Sequence, residues 1–235
     1  MSSLIDTSIF GLYEIFSNII PRMIVLVTLW ASVESISVLH EHIPLIHSSI
    51  FLSSIFLVFF IFLSFVLGVA IQSVSMGFET LVLLRIKHVG YPSSRLLDPK
   101  DSRFSADFKR NLRRLVHENF EISTRSESRH IFDLCYTYVA QNNTSKRVAT
   151  FMNMYSFSRN MCVTMLVEAV VLSGWAAFDF AFGGPLSQLG IFACGIMLSF
   201  FLACLFYGRF MRYSGSFAME VFRSYYIDQI KGRRK

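Results

Sequence analysis

Two carboxylic acids of this chain sit inside long apolar runs, and three arginines crowd one polar stretch. Glu34 lies in SVESIS and Glu168 in TMLVEAVV. An ionisable group at the depth of a bilayer core costs several kcal/mol unless it meets water or a partner. No Lys or Arg falls at similar depth in any apolar run, so an intrachain ion pair is not available. Glu34 and Glu168 are therefore expected either to line a pore or to make protonated, hydrogen-bonded contacts between helices. Ser32, Ser35 and Ser37 give Glu34 a polar face suited to water or to helix packing. The arginines are Arg110, Arg113 and Arg114, in FKRNLRRLVHENF. Guanidinium forks fit phosphate oxygens, so the cluster is a candidate site for a nucleotide, an oligonucleotide or an acidic protein partner. The plainer reading is a solvated face near anionic lipid. Arg110 and His117 are seven residues apart, two helical turns, and share one face.

The elements that must position these groups follow from composition. The chain has 235 residues, 53% hydrophobic, 15% aromatic and only 16% charged, with mean hydropathy +0.49. An average soluble domain carries about 25% charged residues. Twenty-five Phe and nine Tyr cannot be hidden in one soluble core beside so few charges. The chain reads as an integral membrane protein. A hydrocarbon core of about 30 Å needs roughly 20 apolar helical residues. Four blocks meet that length, at about Met23–Leu39, Ile50–Ile71, Met161–Phe178 and Leu189–Tyr207. The second stays apolar beyond Ile71, so its helix is expected to project past the lipid.

Charge sets the orientation. The 22 Lys and Arg fall at Arg22, between Arg85 and Arg159, and from Arg209 onward. The loops His40–Ser49 and Asp179–Gln188 contain none. By the positive-inside rule both termini and the central segment are cytoplasmic. The fold class predicted is all-α, a polytopic membrane protein with four transmembrane helices and a helical cytosolic insert between spans two and three. Residues 1–22 form an amphipathic helix, with Ile5, Ile9, Leu12, Tyr13, Phe16 and Ile20 at helical spacing. Residues 23–86 and 159–207 form two transmembrane hairpins. Residues 87–158 form a basic domain with twelve Lys or Arg against seven Asp or Glu. Residues 208–235 are an aromatic and basic tail.

Within the insert, a helix is expected through FKRNLRRLVHENF, capped between Ser102 and Ala106, and a second over Glu127–Gln141. A third begins near Ser145 and runs into span three. Some 72 residues make a marginal core. The tail, with Phe210, Tyr213, Phe217, Val221 and Tyr225 three or four apart, is expected to form a helix that packs on the insert. Arg159 and Asn160 stand where the insert meets span three and are candidates for coupling the two. Ser64 and Gly68, Gly190 and Cys194, and the run Gly195, Ser199, Ala203 have the spacing of close helix contacts.

Several chemistries leave no trace. There is no Gly-rich phosphate loop, nucleophile elbow, H-E-x-x-H or clustered metal ligand set, and no cofactor is implied. The four cysteines form no C-x-x-C pair, so neither a disulfide scaffold nor a zinc site is indicated. The polar, acidic start of the chain argues against a removed signal peptide.

Three stretches resemble known families. Arg110, Asn111 and His117 form R-N-x₅-H, which resembles the motif of HEPN ribonucleases. That likeness implies an RNA-cleaving Arg–His pair completed by a dimer. YPSSRLLDPKDSRFSADFKRNL resembles a P-[TS]-[TS]-R-x-L…D segment after the second span of a group of bacterial membrane proteins. TSKRVATFMNMYSFSRNM resembles that group's approach to span three. Tyr155, Phe157, Arg159 and Asn160 match, while Ser156 and Ser158 replace the usual Gly and Arg. Similar four-span proteins are membrane effectors of bacterial anti-phage systems of the Hailong and CBASS kind. The resemblance implies an inner-membrane homo-oligomer, with four copies as the working number, that forms a gated ion channel and depolarises the cell. Two alternatives stand beside it: a membrane-tethered ribonuclease, and a non-conducting anchor for a soluble partner.

Overall fold

The computed structural model describes Met23 and residues 50–81, 91–121, 128–142, 145–183 and 186–233. Among these residues all regular structure is helical. In chain order the elements are α1 (Ile50–Thr80), α2 (Pro92–Leu96), α3 (Ala106–Phe120), α4 (Ser128–Gln141), α5 (Lys146–Ala181) and α6 (Leu186–Arg233). The amphipathic N-terminal helix, the first span and Glu34 lie outside the described residues.

The expected insert helices form with shifted ends. Ser105 caps α3, its hydroxyl accepting a hydrogen bond from the Phe108 amide at 3.2 Å, which satisfies one of the orphan donors of the first turn. Leu112, Leu115 and Val116 on α3 and Ile131, Cys135 and Val139 on α4 recur at helical spacing and are buried. Glu121, at φ 52°, ends α3 in the left-handed conformation.

α5 and α6 contain the segments long and apolar enough to cross a membrane, within Lys146–Ala181 and Ser187–Gly232. Both extend past the limits read from hydropathy. α5 continues to Ala181, α6 starts at Leu186, and Gly183 at φ 75° turns the chain between them. The loop placed at Asp179–Gln188, which lacks Lys and Arg, is thus helix at both ends. The fourth apolar block and the tail are one continuous helix: no Pro interrupts it, and Ser214-Gly215-Ser216 stays helical.

The chain divides into two compact units. One combines the chain up to Phe78 with Ser156–Gly208, and the other combines Glu79–Tyr155 with Arg209–Lys235. In the first unit Met161 and Met165 of α5 pack on Ala203 of α6, with Phe157 and Phe206 edge to face at 6.1 Å. Leu172 Cδ1 would lie 3.1 Å from a Cβ added at Gly195, so that glycine marks a close approach of α5 and α6. Ser199 and Ala203 are buried on the same stripe, whereas among the described residues Gly190 meets nothing and Cys194 is exposed. Among the described residues the small-residue seam follows Gly195, Ser199 and Ala203.

In the second unit the tail of α6 supplies what the insert lacks. Val221, Phe222 and Tyr225 are fully buried among Leu96, Leu97, Leu112, Val116 and Cys135. Asn119 donates to the Tyr225 hydroxyl at 3.0 Å and to Gln229 Oε1 at 2.8 Å, and the Tyr138 hydroxyl donates to Asp228 Oδ2 at 2.8 Å. Burial pushes the Cys135 thiol far above its ordinary range, so it stays protonated and unreactive.

The turn between α2 and α3 is held by charge. Lys109 is buried, and its ammonium donates to the carbonyls of Asp98 and Asp101. Arg103 Nε donates to both carboxylate oxygens of Asp101 at 3.0 Å. That hydrogen bond holds the Asp101 carboxyl at about 2, below its ordinary 3.8. A depressed folded-state pKa contributes stability above the unfolded value, and that contribution disappears as pH falls through the folded one. Arg103→Gln should therefore lower the thermal midpoint at pH 5–7 and match the parent near pH 2. Unfolding scans of the detergent-solubilised protein at both pH values check this.

Candidate functional site

Arg110, Arg113, Arg114 and His117 stand at i, i+3, i+4 and i+7 on α3, so helix geometry alone puts them on one face. Together with Lys109 and the chain at Leu97 and Pro99 they line a groove of about 500 Å³. Their partners differ. Arg113 donates to the Leu97 carbonyl at 3.1 Å, which fixes its guanidinium against the turn. Arg110 lies 3.7 Å from Asp107 and Arg114 lies 3.7 Å from Glu118, both exposed surface pairs of small energetic worth. An incoming phosphate can replace such partners at little cost. Lys109, which sequence reading passed over, anchors the groove floor through the two carbonyls already described. Its signal was a lysine in register with the apolar face of an amphipathic helix.

The Arg110–His117 pair belongs to the same groove, yet seven residues of helix separate the two by roughly 10 Å along the axis. The ribonuclease likeness calls for a second copy to complete the pair.

The first unit holds a different constellation. Arg159 and Asn160 are both buried in α5. Asn160, Thr164 and Glu168 follow at i, i+4 and i+8, a polar stripe inside an otherwise apolar stretch. Residues 158–165 are buried on every side of the helix. Asn160 Oδ1 and Thr164 Oγ1 have no hydrogen-bond partner among the described residues. Buried polar atoms are rarely left unmade, and in a polar interior ordered water is the usual partner. Glu168 is half-buried one turn further along. Sequence reading named Asn160 and Glu168 but missed Thr164, which stands between them on the stripe. The four-residue spacing was the available signal.

On the outer surface of this unit Ile196, Met197, Phe200, Phe201 and Cys204 of α6 line an apolar depression with Ala169. No group of His, Cys, Asp or Glu suited to hold a metal ion occurs among the described residues. No protein family, curated protein or solved structure matches this chain.

If the groove binds phosphates, Arg110→Gln with Arg114→Gln should weaken it without disturbing the turn that Arg113 holds. For a fluorescent single-stranded oligonucleotide, each lost phosphate contact lowers the slope of log K against log salt by about 0.7. The double variant is expected to lose at least tenfold in affinity and up to roughly 1.4 in that slope. Anisotropy titrations at several salt concentrations measure both.

Proposed function

We propose that the chain is an oligomeric bacterial inner-membrane effector, a gated channel whose conduction depolarises the membrane in anti-phage defence. The polar stripe Asn160–Thr164–Glu168 carries this reading. A buried row of oxygen-bearing side chains in a helix apolar enough to span a bilayer costs stability and suits the passage of water or ions. In this reading Glu168 supplies the charge at the next turn, and Glu34 joins it from span one of a four-span protomer with cytoplasmic termini.

The exposed apolar face of α6, with Ile191, Met197, Leu198, Phe200 and Phe201, supports contact with lipid or with further copies of the chain. Gating enters through the groove on α3. A nucleotide, oligonucleotide or acidic protein that binds it must favour one state, since equal affinity for open and closed forms shifts nothing. α5 and α6 each belong to both units, which supports a role for Arg159 and Asn160 in passing that bias along.

Stability and flux should move in opposite directions. Thr164→Val removes the unpartnered hydroxyl at nearly constant shape and is expected to stabilise the protein by about 1 kcal/mol or more. In proteoliposomes it should lower ion flux at least tenfold, equivalent to about 1.4 kcal/mol in the barrier. Glu168→Gln should change conductance or ion selectivity. Parent-like flux in both variants would reduce the stripe to a packing feature and leave the anchor reading in place. Cleavage of RNA by the purified protein, lost in His117→Ala, would instead establish the ribonuclease.

A further inference from the structure

The turn between α2 and α3 makes two sets of contacts. It is tied to α3, because Lys109 donates to the carbonyls of Asp98 and Asp101 and Arg113 donates to that of Leu97. The same turn meets the tail of α6. Arg103 Nη1 would lie 3.5 Å from a Cβ added at Gly215. Phe104 is buried, edge to face with Phe222 at 6.4 Å, and the Arg223 guanidinium carbon lies 5.8 Å from its ring centroid. Between these contacts the turn is stiffened by its own aspartates. The Lys100 amide donates to Asp98 Oδ1 at 2.8 Å and the Arg103 amide to Asp101 Oδ1 at 2.9 Å.

α6 is locally weak where Arg103 reaches it. Ser214, Gly215 and Ser216 follow one another there. Gly215 has no side chain to restrict its backbone. The Ser214 hydroxyl donates to the Met211 carbonyl at 3.0 Å, and the Ser216 hydroxyl to the Arg212 carbonyl at 3.2 Å. Hydroxyls that bond back by one turn compete with the backbone ladder and ease bending, and Gly/Ser pairs are common kink points.

We propose that this turn is the link through which an anion in the groove on α3 holds α6 straight at Ser214–Gly215–Ser216. The link rests on the reading of the groove as a phosphate-type site. Leu97 and Pro99 of the turn line that groove with Arg110, Arg113 and Arg114 of α3, so the site exists only while the turn stays on α3. A ligand that binds only the closed turn lowers the open population by a factor of 1 + [L]/Kd, about elevenfold at ten times Kd. Arg103 and Phe104 belong to the turn, so α6 loses its freedom to bend along with it.

The probe is inorganic pyrophosphate, with its Kd for the intact protein in detergent measured by calorimetry. Amide hydrogen exchange is then followed by mass spectrometry at ten times that Kd. Amides of Leu97–Phe104 and of Arg212–Ala218 should slow by comparable factors, up to about tenfold, and those of Ile131–Val139 on α4 by much less. Arg103→Gln should keep pyrophosphate binding and protection of the turn while Arg212–Ala218 loses its share. Gly215→Ala is an independent reading, since its Cβ meets Arg103 at ordinary van der Waals distance. In that variant Arg212–Ala218 should exchange slowly without pyrophosphate and change little when it is added. The link is overturned if pyrophosphate protects the turn but not Arg212–Ala218, if α4 slows as much as α6, or if Arg103→Gln leaves the α6 protection intact. Failure of pyrophosphate to bind at all would overturn the phosphate reading of the groove, and the link with it.

Discussion

Large hydrophobic side chains left exposed along α5 and α6 are the constraint on which the rest of the molecule depends. Val170, Phe180 and Ile191 are each more than 70% exposed, as is Phe182 in the turn between the two helices. A soluble monomer rarely leaves so much contiguous apolar surface in water. In hydrocarbon the same side chains are well placed, but the backbone then has no water to bond. Every amide and carbonyl must be satisfied within the segment, which an unbroken helix achieves. The apolar parts of α5 and α6 meet that requirement, being unbroken helix. The same requirement explains why polar side chains in them are sparse and turned inward at Asn160 and Thr164.

The second unit is held together by a different device. Its insert helices are short and amphipathic, and they would bury little by themselves. The deficit is met by the far end of α6, whose Phe210, Phe222 and Tyr225 are fully buried. Side-chain hydrogen bonds from Asn119 and Tyr138 then fix which face of α6 is presented to α3 and α4. Aromatic residues suit this task. Each buries a large area with few rotatable bonds, and Tyr also keeps a hydroxyl for a directed contact.

Charge in this unit divides into structural and available groups. Lys109 and Arg113 spend their donors on backbone carbonyls of the turn before α3, while Arg110 and Arg114 hold only loose surface partners. The groove thus combines a fixed base with replaceable edges, which suits reversible recognition of an anion.

Some of this was legible in the sequence. Helix content followed from period and capping: Ser105 before α3, the three- and four-residue spacing of Leu112, Leu115 and Val116, and the unbroken run from Ser145 into the apolar block. The joint surface of Arg110, Arg113, Arg114 and His117 was legible too, because positions on one helix face are fixed by the 3.6-residue turn alone. Membrane character followed from hydropathy, and of the four spans read there, two stand among the described helices as long and apolar enough. What sequence reasoning missed depends on residues distant in the chain. That Arg113 and Lys109 are committed to carbonyls, that Gly195 rather than Gly190 meets its neighbour, and that Arg103 comes to lie against Gly215 were decided by packing. Periodicity tells which side of a helix is apolar, but it contains no term for which other helix will cover it.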